Sequence, residues 1–208
     1  GSLFLALPFY IYHANHIFSL LFYVSLIILS WKRYKSISLL WVSVFIFFVL
    51  TIFIYSKTLL TADKTKISGL FAIGDESLVY EKVTVDRSQH ENSPKLITNL
   101  LHNKFLFTTI SIMQNYIRSF SPEFLFITDR GNEQHNIGDF GNLYLWEAPF
   151  LLLGFAYLLM LKGENKYLII SWVLISPIAA SITKDAPHTA RMAAIMPIFD
   201  IIIAFGFL

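Results

Sequence analysis

Five residues able to do chemistry, Thr183, Lys184, Asp185, His188 and Arg191, fall within a stretch of nine between two long apolar runs. His188 and Arg191 stand three apart, so a helix beginning near Pro187 carries both on one face, with Lys184 just ahead of it. An arginine one turn inside a membrane helix is costly unless it pairs or lines a polar cavity. A helix N-terminus flanked by Lys, His and Arg has the donors for a phosphate or pyrophosphate. Backbone N–H groups point outward there, and a guanidinium holds two oxygens at once. Lys184 and Arg191 would equally serve as headgroup anchors or as partners of Asp185.

A second cluster, residues 128–141, gathers Asp129, Arg130, Glu133, His135 and Asp139 with Gly131, Gly138 and Gly141. Glycines permit tight turns close to a ligand. His135 has the chemistry of a general base or of a hydrogen-bond partner for a hydroxyl-rich substrate. The alternative is a solvated loop leading into the next apolar run. A third cluster holds Tyr12, His13, Asn15 and His16. His13 and His16 share a helical face, but no third ligand is near in sequence, and no metal site is assigned.

These clusters are positioned by a chain of unusual composition. Of 208 residues, 55% are apolar and only 14% charged, and mean hydropathy is +0.59. A water-soluble domain carries about a quarter charged residues, so this chain lacks the polar surface to cover itself. The net charge of +2 is spread in short clusters, which excludes the concentrated basic face of a nucleic-acid-binding protein. The absence of cysteine removes disulfides, thiolate metal ligands and thiol nucleophiles.

A bilayer core about 30 Å thick takes roughly 20 apolar residues per helix. Apolar runs cover residues 17–31, 37–55, 143–161, 167–182 and 190–208, and residues 3–12 read as the end of a preceding helix. The expected fold is therefore an all-α integral membrane protein, multi-pass, with about five transmembrane helices and a large extracytoplasmic loop containing an interfacial helix. The divisions are a hairpin over 1–57, the loop over 58–142 and three further spans over 143–208, the last truncated. The turn at 32–36 holds Lys32, Arg33 and Lys35, and the turn at 162–166 holds Lys162 and Lys166. Short basic turns face the cytoplasm, which places the long loop and all three polar clusters outside. Within the loop, Pro94 suits a first helical turn. Ile97, Leu100, Leu101, Phe105, Ile112 and Tyr116 then recur near helical spacing, predicting an amphipathic helix over about 94–120 that lies along an interface.

Six segments in order resemble bacterial polytopic glycosyltransferases of the GT-C superfamily, the protein-mannosyltransferase-like and lipid A aminoarabinose-transferase-like group. They are Leu-Pro-Phe-Tyr-Ile-Tyr-His at 7–13, Leu-His-Asn-Lys at 101–104, the stretch 115–126, His135-Asn136 followed by Gly138 and Gly141, the stretch 147–154, and the stretch 176–191. Together they span nearly the whole chain, and they are specific to the family more than to any substrate.

The resemblance implies inverting transfer of a sugar from a polyprenyl-phosphate carrier to a glycan, lipid or protein acceptor. The reaction would occur on the outer face of the plasma (inner) membrane. It further implies that Lys184, His188 and Arg191 grip the carrier phosphate, that Arg130 and His135 border the sugar or acceptor, and that Tyr12 and His13 line the cavity mouth. In such enzymes an acidic residue of the first outer loop is the base. That loop would precede Gly1, so the chain is expected to correspond to an internal-to-late fragment, inactive alone. Asn15-His16 stands where the family has a basic residue. Some relatives use a divalent metal, and no ligand set for one is evident here. No Gly-rich nucleotide motif is present, consistent with a lipid-linked donor. A transporter or flippase for a lipid-linked sugar or anion fits intramembrane charge and proline-broken helices as well. A non-catalytic membrane scaffold is a third reading.

Overall fold

The computed structural model describes residues 14–31, 37–61, 103–128, 140–183 and 186–208. Six α-helices run in order: α1 (Ala14–Ser30), α2 (Ile37–Thr61), α3 (Lys104–Arg118), α4 (Ala148–Met160), α5 (Asn165–Ser181) and α6 (Met196–Gly206). A π-helical turn at Glu123–Ile127 and 3-10 segments at Leu145–Glu147 and Thr189–Ile195 complete the described helical structure. Pro149 and Pro197 stand in the first turns of α4 and α6, where a missing N–H costs nothing. The turn between α4 and α5 passes through Gly163 at φ 110°, a backbone region that favours glycine.

The described residues are mostly helical, but the expectation of about five transmembrane helices is overturned. Among the described residues, only Thr189–Gly206 is long and apolar enough to cross a membrane. The physical reason is helix length. At 1.5 Å per residue, the 17 residues of α1 and α5 extend about 25 Å and the 13 of α4 about 20 Å, short of a core near 30 Å. α2 is longer, at 25 residues over Ile37–Thr61, and its described apolar stretch is Trp41–Phe53. The run over 143–161 spends its first residues on an extended segment and a 3-10 turn before α4 begins. The run over 167–182 is interrupted by Pro177 and buries Ser176 and Ser181. Apolar composition was read as span where part of it is cap, turn and core.

The core lies between α4 and α6, with α5 and the second 3-10 segment beside them. Leu151 and Leu158 of α4 bury against Ile198, Phe199, Ile202 and Ile203 of α6, with Val173 and Ala180 of α5 and Met192 and Ile195 of the second 3-10 segment alongside. Gly154 sits on the backbone of Ile202 and Gly206 on that of Phe150, so α4 and α6 run antiparallel at close approach. On its other side α5 holds α1. Trp172 meets Phe22 and Phe18 at ring-centroid distances of 4.9 and 6.0 Å. α2 is attached through Tyr23, which stacks on Phe47 at 4.0 Å and hydrogen-bonds Ser43 at 2.9 Å. Leu152, Leu153, Leu159 and Met160 of α4, and Trp41, Phe45, Ile52 and Phe53 of α2, are exposed.

The loop helix is present as α3, and its first predicted residues, 94–102, lie outside the described residues. Asn103 caps it, accepting the Leu106 N–H at 2.7 Å. The predicted apolar face is only partly applied to the body: Phe105 is 80% exposed, while Ile112 and Tyr116 are half-buried. What α3 lays on α5 is a polar pair, Asn115 and Tyr116.

Candidate functional site

The site is built around the join between α5 and the segment leading into α6. α5 stops at Ser181 and Thr183 turns back on it, its N–H reaching Ala180 O at 3.0 Å. The Ala186–Pro187 peptide is cis. His188 then caps the 3-10 segment in extended conformation. Its Nδ1 accepts the Ala190 N–H at 3.2 Å, while its carbonyl accepts from both Arg191 N and Met192 N at 3.0 Å. His188 is thus the extended cap and Arg191 lies inside the 3-10 segment, so the two are joined by the bond from Arg191 N to His188 O and not by a place on one α-helical face.

Both side chains are buried, His188 at 4% and Arg191 at 8% exposure. Arg191 Nη1 donates to Thr183 Oγ1 at 2.6 Å, a short bond from a charged donor. That hydroxyl donates in turn to Ala180 O at 2.6 Å. An imidazole whose Nδ1 is an acceptor carries its neutral-form proton on Nε2. The Nε2 of His188 is therefore its N–H donor.

One part of the sequence reading needs correction. The start of this helix does not offer a row of outward N–H groups, because His188 itself takes those of Ala190, Arg191 and Met192. Anion chemistry here belongs to side chains. Gly141, expected to permit close approach to a ligand, instead lies against the backbone of Phe126. It forms part of a neck in which Leu143 N bonds Leu125 O at 2.7 Å and Asn142 Nδ2 bonds Phe124 O at 2.9 Å. Among the proposed site residues, Tyr12, His13, Arg130, His135 and Lys184 lie outside the described residues, while His16 is half-buried in the first turn of α1. No group of three or more metal-ligating side chains occurs among the described residues.

Two residues received no role from sequence. Thr183 was counted in the cluster over 183–191 without a role of its own, and Asn115 opened a family-like segment 66–68 residues upstream of its partners. Asn115 Nδ2 donates to Ser181 O at 3.2 Å and Thr183 O at 3.4 Å. No spacing rule links positions so far apart.

Next to it, Tyr116 Oη donates to Leu174 O at 2.9 Å. Pro177 cannot donate to the carbonyl one turn back, which loosens α5 there, and the phenol steadies the adjoining carbonyl. Burial pushes the Tyr116 phenol above its ordinary value of 10.0. The sign follows: the neutral donor is favoured in the fold, so its contribution is complete below pH 10 and is lost as pH rises through the elevated folded value. Tyr116→Phe is expected to lower stability by about 1 kcal/mol and to reduce the alkaline loss above the ordinary value of 10.0, read by denaturant unfolding as pH is raised.

Comparison with protein-family models, with curated proteins and with solved structures finds no match to this chain.

Proposed function

We propose that this chain belongs to a membrane glycosyltransferase of the plasma (inner) membrane. It would take a sugar from a polyprenyl-phosphate carrier, with His188 and Arg191 holding the carrier phosphate. The observation that carries this reading is the buried imidazole and guanidinium, one 3-10 turn apart, at the head of the one described stretch able to cross a bilayer. A lipid phosphate lies at the boundary of the hydrocarbon core, which is the depth of that helix end. The exposed apolar sides of α2 and α4 support association with lipid. The GT-C-like segment order supports a transferase over other users of a lipid phosphate.

In this reaction the bond between the sugar anomeric carbon and the phosphate oxygen breaks, and its electron pair leaves with the phosphate. An acceptor oxygen forms the new bond from the opposite face and gives its proton to a base, which is assigned to none of the described residues. Arg191 and the Nε2–H of His188 would take up the charge that grows on the departing phosphate. Donors fixed in a water-poor site do this without reorganising at the moment of reaction.

The test is binding of a polyprenyl monophosphate to the full-length protein in detergent, with circular dichroism checking the fold. Arg191→Ala and His188→Ala are each expected to weaken binding, Arg191→Ala by roughly tenfold or more, the effect of one hydrogen bond to a charged group. Undiminished binding in folded variants would remove the phosphate site.

A further inference from the structure

We infer that Asn115, carried on α3 far from the join in sequence, is a positioning residue that sets the Arg191 guanidinium through Thr183. This inference rests on the phosphate-site reading and goes beyond it by assigning the part played by the segment between α2 and α4.

The last carbonyls of any helix lack intrahelical donors. At the end of α5 a single carboxamide serves one of these, Ser181 O at 3.2 Å, together with Thr183 O just past the helix at 3.4 Å. Only a side chain with two N–H groups on one nitrogen, at this length, does both. Serine and threonine are shorter with one donor, aspartate has none when ionised, and glutamine is longer by a methylene. Pinning the carbonyls on both sides of Ile182 fixes the path of the chain into Thr183. The Thr183 hydroxyl is then committed in direction: its hydrogen goes to Ala180 O at 2.6 Å, which turns a lone pair toward Arg191 Nη1, also at 2.6 Å. The relay therefore runs from α3 through a carboxamide, a backbone turn and a hydroxyl to a buried cation. Each link is short except the 3.4 Å contact, so Ser181 O is the stronger anchor.

A relay and a merely structural contact differ in how their effects combine. Polyprenyl monophosphate binding and thermal unfolding would be measured on the full chain for wild type, Asn115→Ala, Arg191→Lys and the double variant. Asn115→Ala is expected to weaken binding roughly two- to tenfold, the range one neutral hydrogen bond supplies. In the Arg191→Lys background, where the fork reaching Thr183 is gone, the same change is expected to weaken it no further, because residues in one network are not additive. Equal loss in both backgrounds would overturn the relay. Thr183→Ser, which keeps the hydroxyl, should bind as wild type, and Thr183→Val should bind as weakly as Asn115→Ala. This pair decides the matter if Asn115→Ala does not fold, and equal binding by Thr183→Ser and Thr183→Val would overturn the relay. If wild type does not bind the phosphate, the proposed function falls and the relay with it. If wild type binds, Arg191→Lys weakens binding and Asn115→Ala does not, only the positioning role falls.

Discussion

Gly154→Ala is expected to destabilise the protein, although helix propensity alone predicts the opposite. In the interior of a helix alanine is favoured over glycine by about 1 kcal/mol, and Gly154 lies within α4. A Cβ there would overlap the carbonyl oxygen of Ile202 in α6, which is backbone and cannot swing aside. The helix pair must separate, and with it the contacts of Leu151, Leu158, Ile198 and Ile202 that form the core. Overpacking of this kind costs about 1–3 kcal/mol, and more where the backbone must shift; Gly154→Val should exceed the alanine variant. Gly163→Ala is the control. It meets nothing within 4 Å but has φ 110°, so its cost is backbone strain and should leave the α4–α6 contact intact. Denaturant unfolding of the three variants checks the order. A neutral or stabilising Gly154→Ala would mean that α4 and α6 do not pack at this distance.

Trp172→Ala should be the most damaging single change on α5, by about 3–5 kcal/mol. Trp172 joins three parts of the fold. Its ring meets Phe18 and Phe22 of α1, and its Nε1 donates to Ala194 O at 2.7 Å in the segment that carries Arg191. Trp172→Phe separates the two functions. It keeps most of the aromatic contact and deletes the hydrogen bond, leaving the Ala194 carbonyl without that donor, for a cost of about 1 kcal/mol. Because that bond ties the Arg191 segment to α5, Trp172→Phe should also weaken polyprenyl phosphate binding while the melting temperature falls only slightly. Loss of stability in Trp172→Phe equal to that in Trp172→Ala would place the whole effect in the hydrogen bond, against the packing argument.

The sequence made several elements legible because they depend on local physics. Helical periodicity placed a helix over about 94–120, and α3 occupies Lys104–Arg118 of that range, starting at the Asn103 cap and not at Pro94. The basic turns at 32–36 and 162–166 were read to one side of the protein. Their described flanks do meet, since Ile28, Leu29 and Trp31 share a cleft with Glu164 and Tyr167. Burial of Arg191 was also legible, because a lone arginine in an apolar run has few places to go. Membrane spans were not. A run of apolar residues measures composition, whereas crossing a bilayer requires continuous helix, and capping, Pro177 and extended entry segments shorten the helices in ways a hydropathy count does not register.

By itself, then, the sequence determined that the described residues are mostly helical, that polar chemistry gathers in breaks between apolar runs, and that His188 and Arg191 fall together in one of them. Each of these follows from neighbours within a turn or two. Tertiary structure alone decided that Asn115 meets Ser181 and Thr183, that Thr183 holds Arg191, and that Gly154 and Gly206 exist to let two backbones touch. Those contacts join residues eight to nearly seventy positions apart, and they depend on where helices cross, which is set by the packing of all of them at once.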